Sequence, residues 1–499
     1  MDKILIGKGQ KENYILLNKI NRRGLISGAT GTGKTVSLKV LAEGLSDNGV
    51  PCILADVKGD LANIAKAGKN NEKIIERLNT LKIENFEFKN YPLNIWDIYM
   101  KKGIPLRITV SEMGPLMLSN ILGLNDTQMG VLNIVFKVAD KNGLLLIDLK
   151  DLKQVINYVD ENKIEITKEF GNVTSQSLGA IQRKLLYIED SGGDLFFAEP
   201  AIDINDFLKT DSQGRGFVNI LQADKLISNP ILYSMLLLYL LSEIYENFPE
   251  VGDLDKPKLV FFFDEAHLLF NNVPDILKNK IIQIVRLVRS KGVGIFFISQ
   301  NPLDIPEEIS SQLANRIVHQ LRAYSPKELK AINAVADTFR QDGSIDIKEE
   351  LISLKTGQAI VSFADENGAP TFADKAIILP PHSSFETLSD SEYEDLIKNS
   401  PLYNKYKDSF DRESAYEILN EKFKRDELEK QREEDFQKKR EEFERKEKEL
   451  DRQYNSRNRS SSRAKKSYLD KGIDSILGTV TRSIGREIAR GILGSIKKR

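Results

Sequence analysis

The chain has 499 residues, 41% of them hydrophobic and 29% charged, with a formal net charge of −1. That length allows two or three domains, and the charge balance excludes a polycation that binds nucleic acid over its whole surface. A single cysteine, Cys52, excludes an internal disulfide, and with only His267, His319 and His382 beside it argues against a structural zinc site.

The N-terminus lacks the apolar region of a signal peptide, and the longest apolar run, residues 231–241, reads as a buried helix. The expectation is a cytoplasmic protein with no integral membrane segment. Residues 1–23 alternate weakly through Ile4, Ile6, Tyr14 and Leu16, which predicts a short β segment, a hairpin. Leu25, Ile26 and Ser27 read as the end of a buried strand, and residues 36–46 as a helix.

Between them stands Gly28-Ala29-Thr30-Gly31-Thr32-Gly33-Lys34-Thr35, which fits G-x-x-x-x-G-K-[ST] at every fixed position. Glycines let a backbone wrap a polyphosphate, with successive N–H groups turned inward, and the helix that opens at Val36 adds its positive dipole end. Lys34 is expected on the β- and γ-phosphates of ATP and the Thr35 hydroxyl on Mg²⁺.

Residues 52–56 form a second apolar strand ending in Asp56, followed by a polar loop with Lys58 and Asp60. Loops at the carboxyl ends of such strands face ligands, so these three invite a functional reading beside that of ordinary solvated charges. Residues 100–215 lack strand–helix alternation and read as a mostly helical insertion, with helices over 119–138, 151–159 and 176–188. Residues 216–220 predict a strand, and Asn229-Pro230 opens a helix to residue 247.

After Lys258, Leu259 to Phe263 is a continuous apolar run closing on Asp264-Glu265, the Walker B pattern. Asp264 is expected to hold Mg²⁺ and Glu265 to orient and deprotonate water. A helix over 276–290 carries Arg286 and Arg289 near its end, where they suit either the helix dipole or a finger acting on a neighbouring subunit. Residues 294–299 are the next buried strand, closed by Gln300, an amide suited to sensing a γ-phosphate or the lytic water. Arg316 and Arg322 flank a further strand and are additional finger candidates. Ser325-Pro326-Lys327-Glu328 is a capping box. Residues 357–362 read as the last core strand, with closure near Pro380-Pro381.

Composition then shifts. Residues 421–452 are almost all charged or amide, and Phe436, Phe443 and Leu450 recur without a second apolar heptad position, which predicts a long solvated helix rather than a coiled coil. The predicted division is a β segment over 1–23, an ATPase core over 24–390, a charged helical extension over 391–455, a basic linker over 456–467 and a basic amphipathic tail helix over 468–499. In the tail, Ile484, Ile488, Ile492 and Ile496 oppose Arg482, Arg486 and Arg490.

The order of these motifs describes an α/β fold, an additional-strand P-loop NTPase core in which the Gln300 strand lies between the phosphate-loop and Walker B strands. Gly28 to Thr35, Ala55 to Leu61, Asp264-Glu265-Ala266-His267 and Ser299-Gln300-Asn301-Pro302 together resemble the HerA/FtsK superfamily. More narrowly they are similar to the bacterial HerA-like ATPases of the YjgR type, over residues 5–390 and again in the tail at 483–496. The resemblance implies a RecA-like core and a homo-hexameric ring that couples ATP hydrolysis to movement along double-stranded DNA. It also implies an arginine supplied in trans from a position after Walker B, where Arg289 is the best match and Arg286 and Arg316 follow. HerA itself carries an N-terminal barrel that docks a nuclease, whereas here residues 1–23 precede the core. Three readings stay open: a translocase on duplex DNA, a ring ATPase acting on a nuclease or other protein partner, and a scaffold ordered by nucleotide.

Overall fold

The computed structural model describes residues 2–226, 229–252, 254–271 and 275–458. It divides into two units, Met1–Asn420 and Glu421–Arg499.

The first unit is organised on one sheet whose strands are β1 (Lys3–Lys8), β2 (Glu12–Leu16), β3 (Gly24–Ser27), β4 (Cys52–Asp56), β5 (Leu93–Asp97), β6 (Ile104–Pro105), β7 (Val218–Gln222), β8 (Leu259–Phe263), β9 (Val293–Ser299), β10 (Asn315–His319), β11 (Gln358–Ser362) and β12 (Asp374–Ile378). Their order across the sheet is β2-β1-β12-β11-β10-β3-β9-β8-β4-β7-β5-β6. From β10 to β6 every pairing is parallel; from β10 back to β2 every pairing is antiparallel. The predicted additional-strand order holds: β9, which leads to Gln300, lies between β3 and β8.

The central strands are buried on both faces, which is why β8 and β9 show no alternation in sequence. Phe261, Phe262 and Phe263 are fully buried, each contributing roughly 1.5–3 kcal/mol. Phe262 stacks on Phe296 and Phe263 on Phe297, at centroid distances of 5.4 and 5.5 Å. These pairs sit at matched positions of β8 and β9, so packing fixes the register of the two strands that lead into Glu265 and Gln300.

Several expectations change. Residues 357–362 are not the last strand of the sheet, because β12 pairs with β11 and then with β1. The N-terminal hairpin therefore extends the same sheet. The single helix expected over 119–138 is two, Val110–Ile121 and Asp126–Lys141. Gly123 turns left-handed between them, and Asn125 with Gln128 forms a capping box that starts the second. The chain also packs on past Pro380-Pro381. The helix Asp390–Lys398 lays Tyr393 and Leu396 on the core, Lys66 meets Glu392 at 2.8 Å, and Leu402 and Tyr406 are buried.

The helix after the phosphate loop, α1 (Lys34–Asp47), is held by more than its apolar side. Lys39 is buried and donates to Asn63 Oδ1 and Ser384 O at 2.9 and 2.5 Å. Burial pushes its ammonium down to about 8, against the opposing charge of Glu43. Glu43 in turn accepts from the backbone of His382 and Ser383. Segment 382–384 is thereby tied to the helix that carries Lys34.

The described residues of the second unit belong to the helix Ala415–Asn458, and every residue from 424 to 452 is exposed. Phe436, Phe443 and Leu450 are 52%, 37% and 58% exposed, and Arg440 pairs with Glu444. The linker expected over 456–467 lies outside the described residues beyond Asn458, and so does the tail helix expected over 468–499. No helix among the described residues is long and apolar enough to cross a membrane.

Candidate active site around the phosphate loop

β3 delivers the chain into the loop at Gly28. A side chain there would drive a Cβ to 2.6 Å from the His319 Cβ, so glycine is required by close approach. The loop is pinned from the β10 and β11 side. Ala29 N donates to Gln320 O at 2.8 Å, and Gly357 N donates to Thr32 O at 2.9 Å. His319, fully buried beneath the loop, has Nδ1 against Gln358 O at 2.9 Å and Nε2 against the Ser37 hydroxyl at 2.8 Å. A carbonyl only accepts, so Nδ1 carries the proton and Nε2 accepts from Ser37. Burial pushes this imidazole down to about 4, with the charges of Lys34 and Arg77 adding to the effect.

Thr30, Gly31, Thr32 and Gly33 complete the turn, Val36 packs toward the core, and Lys34 and Thr35 open α1. The Lys34 ammonium is buried and donates to Gly28 O at 2.6 Å and Ala29 O at 3.1 Å. Burial and the charge of Lys58 hold it below the ordinary lysine value, while Glu265 and Asp264 oppose them.

On the other side, β8 ends in Asp264 and Glu265. Asp264 is raised to about 7, chiefly by burial; Lys58 opposes this and Glu265 adds to it. Its Oδ1 accepts the backbone N–H of Glu265 at 3.0 Å. Glu265 adopts left-handed backbone angles, φ 48 and ψ 51. Non-glycine residues pay for this conformation, and such strain gathers at working sites. Its buried carboxylate meets Lys58 Nζ at 3.3 Å, Gln300 Nε2 at 3.1 and 3.4 Å, and His267 Nδ1 at 3.5 Å. Gln300 Oε1 accepts from Thr30 Oγ1 at 3.1 Å, so one amide ties the phosphate loop to Glu265.

Lys34, Asp264, Glu265 and Gln300 thus stand around one loop, although more than two hundred residues separate Lys34 from the others in the chain. Thr35 and Asp264 offer hard oxygen donors and only one carboxylate, a set that fits Mg²⁺ completed by phosphate oxygens and water. Among the described residues no group of three or more His, Cys, Asp or Glu is placed to hold a metal without such help.

The arginines divide. Arg289 is half-buried in the turn Val288–Lys291, and Arg286 is exposed with Nη2 on Glu308 O at 3.2 Å. Arg316 is bound within its own chain, donating to Leu313 O, Thr338 Oγ1 and Ser310 O at 3.1, 2.8 and 2.9 Å. Arg322 is exposed and lines a cleft of about 580 Å³ with Ala29, Thr30 and Gln300.

Two contributors were not read from sequence. Arg23, at φ 60, donates to Val285 O, Arg286 O and Gln312 Oε1, which clamps the end of the helix Asp275–Leu287. Burial and the charges of Arg289 and Arg286 lower its guanidinium to about 10. The second is the His319–Gly357 support, whose residues carry no local signature.

With this geometry in hand, comparison with known proteins decides the family. The profile described as Helicase HerA-like C-terminal matches residues 2–499. The chain belongs to that family. Among curated relatives, this HerA-like chain is 26% identical over 360 residues to the DNA double-strand break repair helicase HerA of Sulfolobus acidocaldarius, covering 70% of this chain and 64% of that one. It is 27% identical over 374 residues to the protein of the same description from Sulfurisphaera tokodaii, covering 72% and 66%. The HerA-like chain therefore spans just under two thirds of the length of these relatives. Its fold matches solved structures of the plasmid coupling protein TrwB. One, in complex with the non-hydrolysable GTP analogue GDPNP, aligns with a TM-score of 0.52 at 13% identity over 78% of this chain and 91% of that one. The unbound monoclinic form of TrwBdeltaN70 aligns at 0.50, with 14% identity over 78% and 90%. The fold is that of the P-loop ATPases.

Proposed function

We propose that this HerA-like chain hydrolyses ATP with Mg²⁺ and works as a ring-forming motor of six identical copies on double-stranded DNA. The observation that carries the hydrolytic part is the chain of contacts Thr30–Gln300–Glu265, which sets a carboxylate base and an amide donor beside the phosphate loop. In this reading Gly28 to Val36 cradle the phosphates, Lys34 leaves the Gly28 and Ala29 carbonyls for the β- and γ-phosphates, and Glu265 takes the proton of the attacking water. Gln300 orients that water or the γ-phosphate. Thr35 and Asp264 would hold Mg²⁺, which when bound neutralises phosphate charge. The buried Asp264, raised to about 7, gains a counter-charge from the cation.

Arg289 is assigned the trans role, with Arg286 second, since both lie at the end of the helix that Arg23 clamps. Arg316 stands third, because reaching outward would break three hydrogen bonds. The DNA part rests on the relatives named as double-strand break repair helicases. With a net charge of −1, duplex would be met by a local lining made on assembly.

A protein partner is the second reading. It is favoured by exposed apolar side chains on the helical insertion, among them Ile164 at 71%, Tyr187 at 55% and Leu116 at 53%. ATPase rates with and without duplex DNA, at rising salt, separate the two. Stimulation that weakens steeply with salt supports the DNA motor. Turnover indifferent to DNA sets that reading aside.

A further inference from the structure

The mechanism above leaves Lys58 without a task, although it makes the closest ionic contact to the proposed base. The loop that carries it is rigidly built. The buried Asp56 carboxylate accepts from the backbone N–H groups of Lys58, Gly59 and Leu61 at 3.1, 2.7 and 3.0 Å. Leu61, Ala62 and Ile64 are buried just beyond it. β4 and β8 are parallel neighbours, with Ala55 beside Phe263, so the residues after each strand leave the sheet side by side. The backbone of Lys58 is thus fixed, while its side chain remains 40% exposed and able to swing.

Lys58 also shares its surroundings with the phosphate loop. Its ammonium feels Asp264 as well as Glu265, and its charge opposes that of Lys34. Two ammonium groups facing one small space are costly side by side and favourable around a polyphosphate. Glu265 keeps the Gln300 amide when Lys58 departs, so its orientation survives the exchange.

We propose that Lys58 is a second phosphate-side lysine: it rests on Glu265 until the terminal phosphate of a nucleoside triphosphate draws it away, which frees Glu265 to act on water. Arrival of the γ-phosphate and release of the base then become one event, and a diphosphate does not trigger it. This deepens the ATPase reading and rests on it.

The test compares affinities of the full chain for a non-hydrolysable ATP analogue and for ADP, in wild type, Lys58→Met and Lys58→Arg. Loss of one charge-assisted contact weakens the analogue about tenfold to a hundredfold in Lys58→Met while ADP is unaffected, and Lys58→Arg restores most of the difference. Lys58→Gln replaces the methionine variant if that melts early. Equal affinities for the analogue in wild type and the uncharged variant, or equal losses for analogue and ADP, overturn the role of Lys58 alone. A wild-type chain that binds neither nucleotide removes the ATPase reading and this inference with it.

Discussion

The two flanks of the phosphate loop are held by opposite kinds of interaction. On the β10–β11 side, Ala29 and Thr32 are fixed by backbone hydrogen bonds to Gln320 and Gly357, over a neutral, fully buried His319. On the β8–β9 side, Thr30 joins Gln300, Glu265 and Lys58 in a network of amide and charged groups that is partly open. Neutral backbone bonds packed over a buried imidazole have no ionic competitor and give permanence. Ion pairs beside a cleft lose their partners to an incoming polyanion and give response. One flank keeps the loop's shape; the other reports what the loop holds.

Mutations sharpen that contrast by acting on rate on one side and on stability on the other. The largest effect is expected where the responsive flank needs a partner. If Arg289 completes it from a neighbouring subunit, Arg289→Ala lowers kcat by about 10³–10⁵ with the melting temperature kept, as steady-state turnover and thermal melting show. Gln300→Ala comes next, with a loss of about 10²–10³ in kcat from one missing donor and little change in stability. A melting temperature that collapses instead would break the division between flanks.

The permanent flank responds to pH. The His319 imidazole binds its proton at an ordinary 6.5 when unfolded and only at about 4 when folded. Between those values the unfolded chain binds more protons, so stability rises with pH and is lost as pH falls from 6.5 toward 4. His319 accounts for on the order of 3 kcal/mol of that loss, so denaturant titration at both pH values should show unfolding free energy falling further in wild type than in His319→Phe. Raised carboxyls run the other way: Asp264, at about 7, and Asp56, at about 6, erode stability as pH climbs through their folded values. The smallest effect is Gly357→Ala. It forces a φ of +81 on a residue with a Cβ and crowds the Arg77 guanidinium, for about 1–2 kcal/mol of stability with kcat little changed.

Local chemistry made the responsive flank readable. The phosphate loop, Asp264-Glu265 and the strand end at Gln300 each declare themselves in a few contiguous residues, and strand order then follows from their sequence. The permanent flank has no such signature, because His319 and Gly357 matter only through what they touch. β5 went unread because Asn94 and Asp97 interrupt its apolar run; within the fold, Asn94 and Trp96 both donate to Asn219 Oδ1. β12 went unread because its place comes from pairing, with β11 beside it and with β1 far away in the chain. Asp56 and Lys58 invited attention as charges on a loop. Their division of labour, one holding the loop and the other reaching Glu265, required knowing that β4 and β8 are neighbours.

The most direct test of the account is Glu265→Gln, with ATP affinity and turnover measured on the same preparation. Replacing the carboxylate by an isosteric amide leaves the phosphate cradle intact and releases Lys58, so ATP should bind at least as tightly as in wild type while kcat falls by about 10²–10⁴. Turnover at the wild-type rate would contradict the assignment of Glu265 as the base, and with it the convergence of Lys34, Asp264 and Gln300 on a single triphosphate.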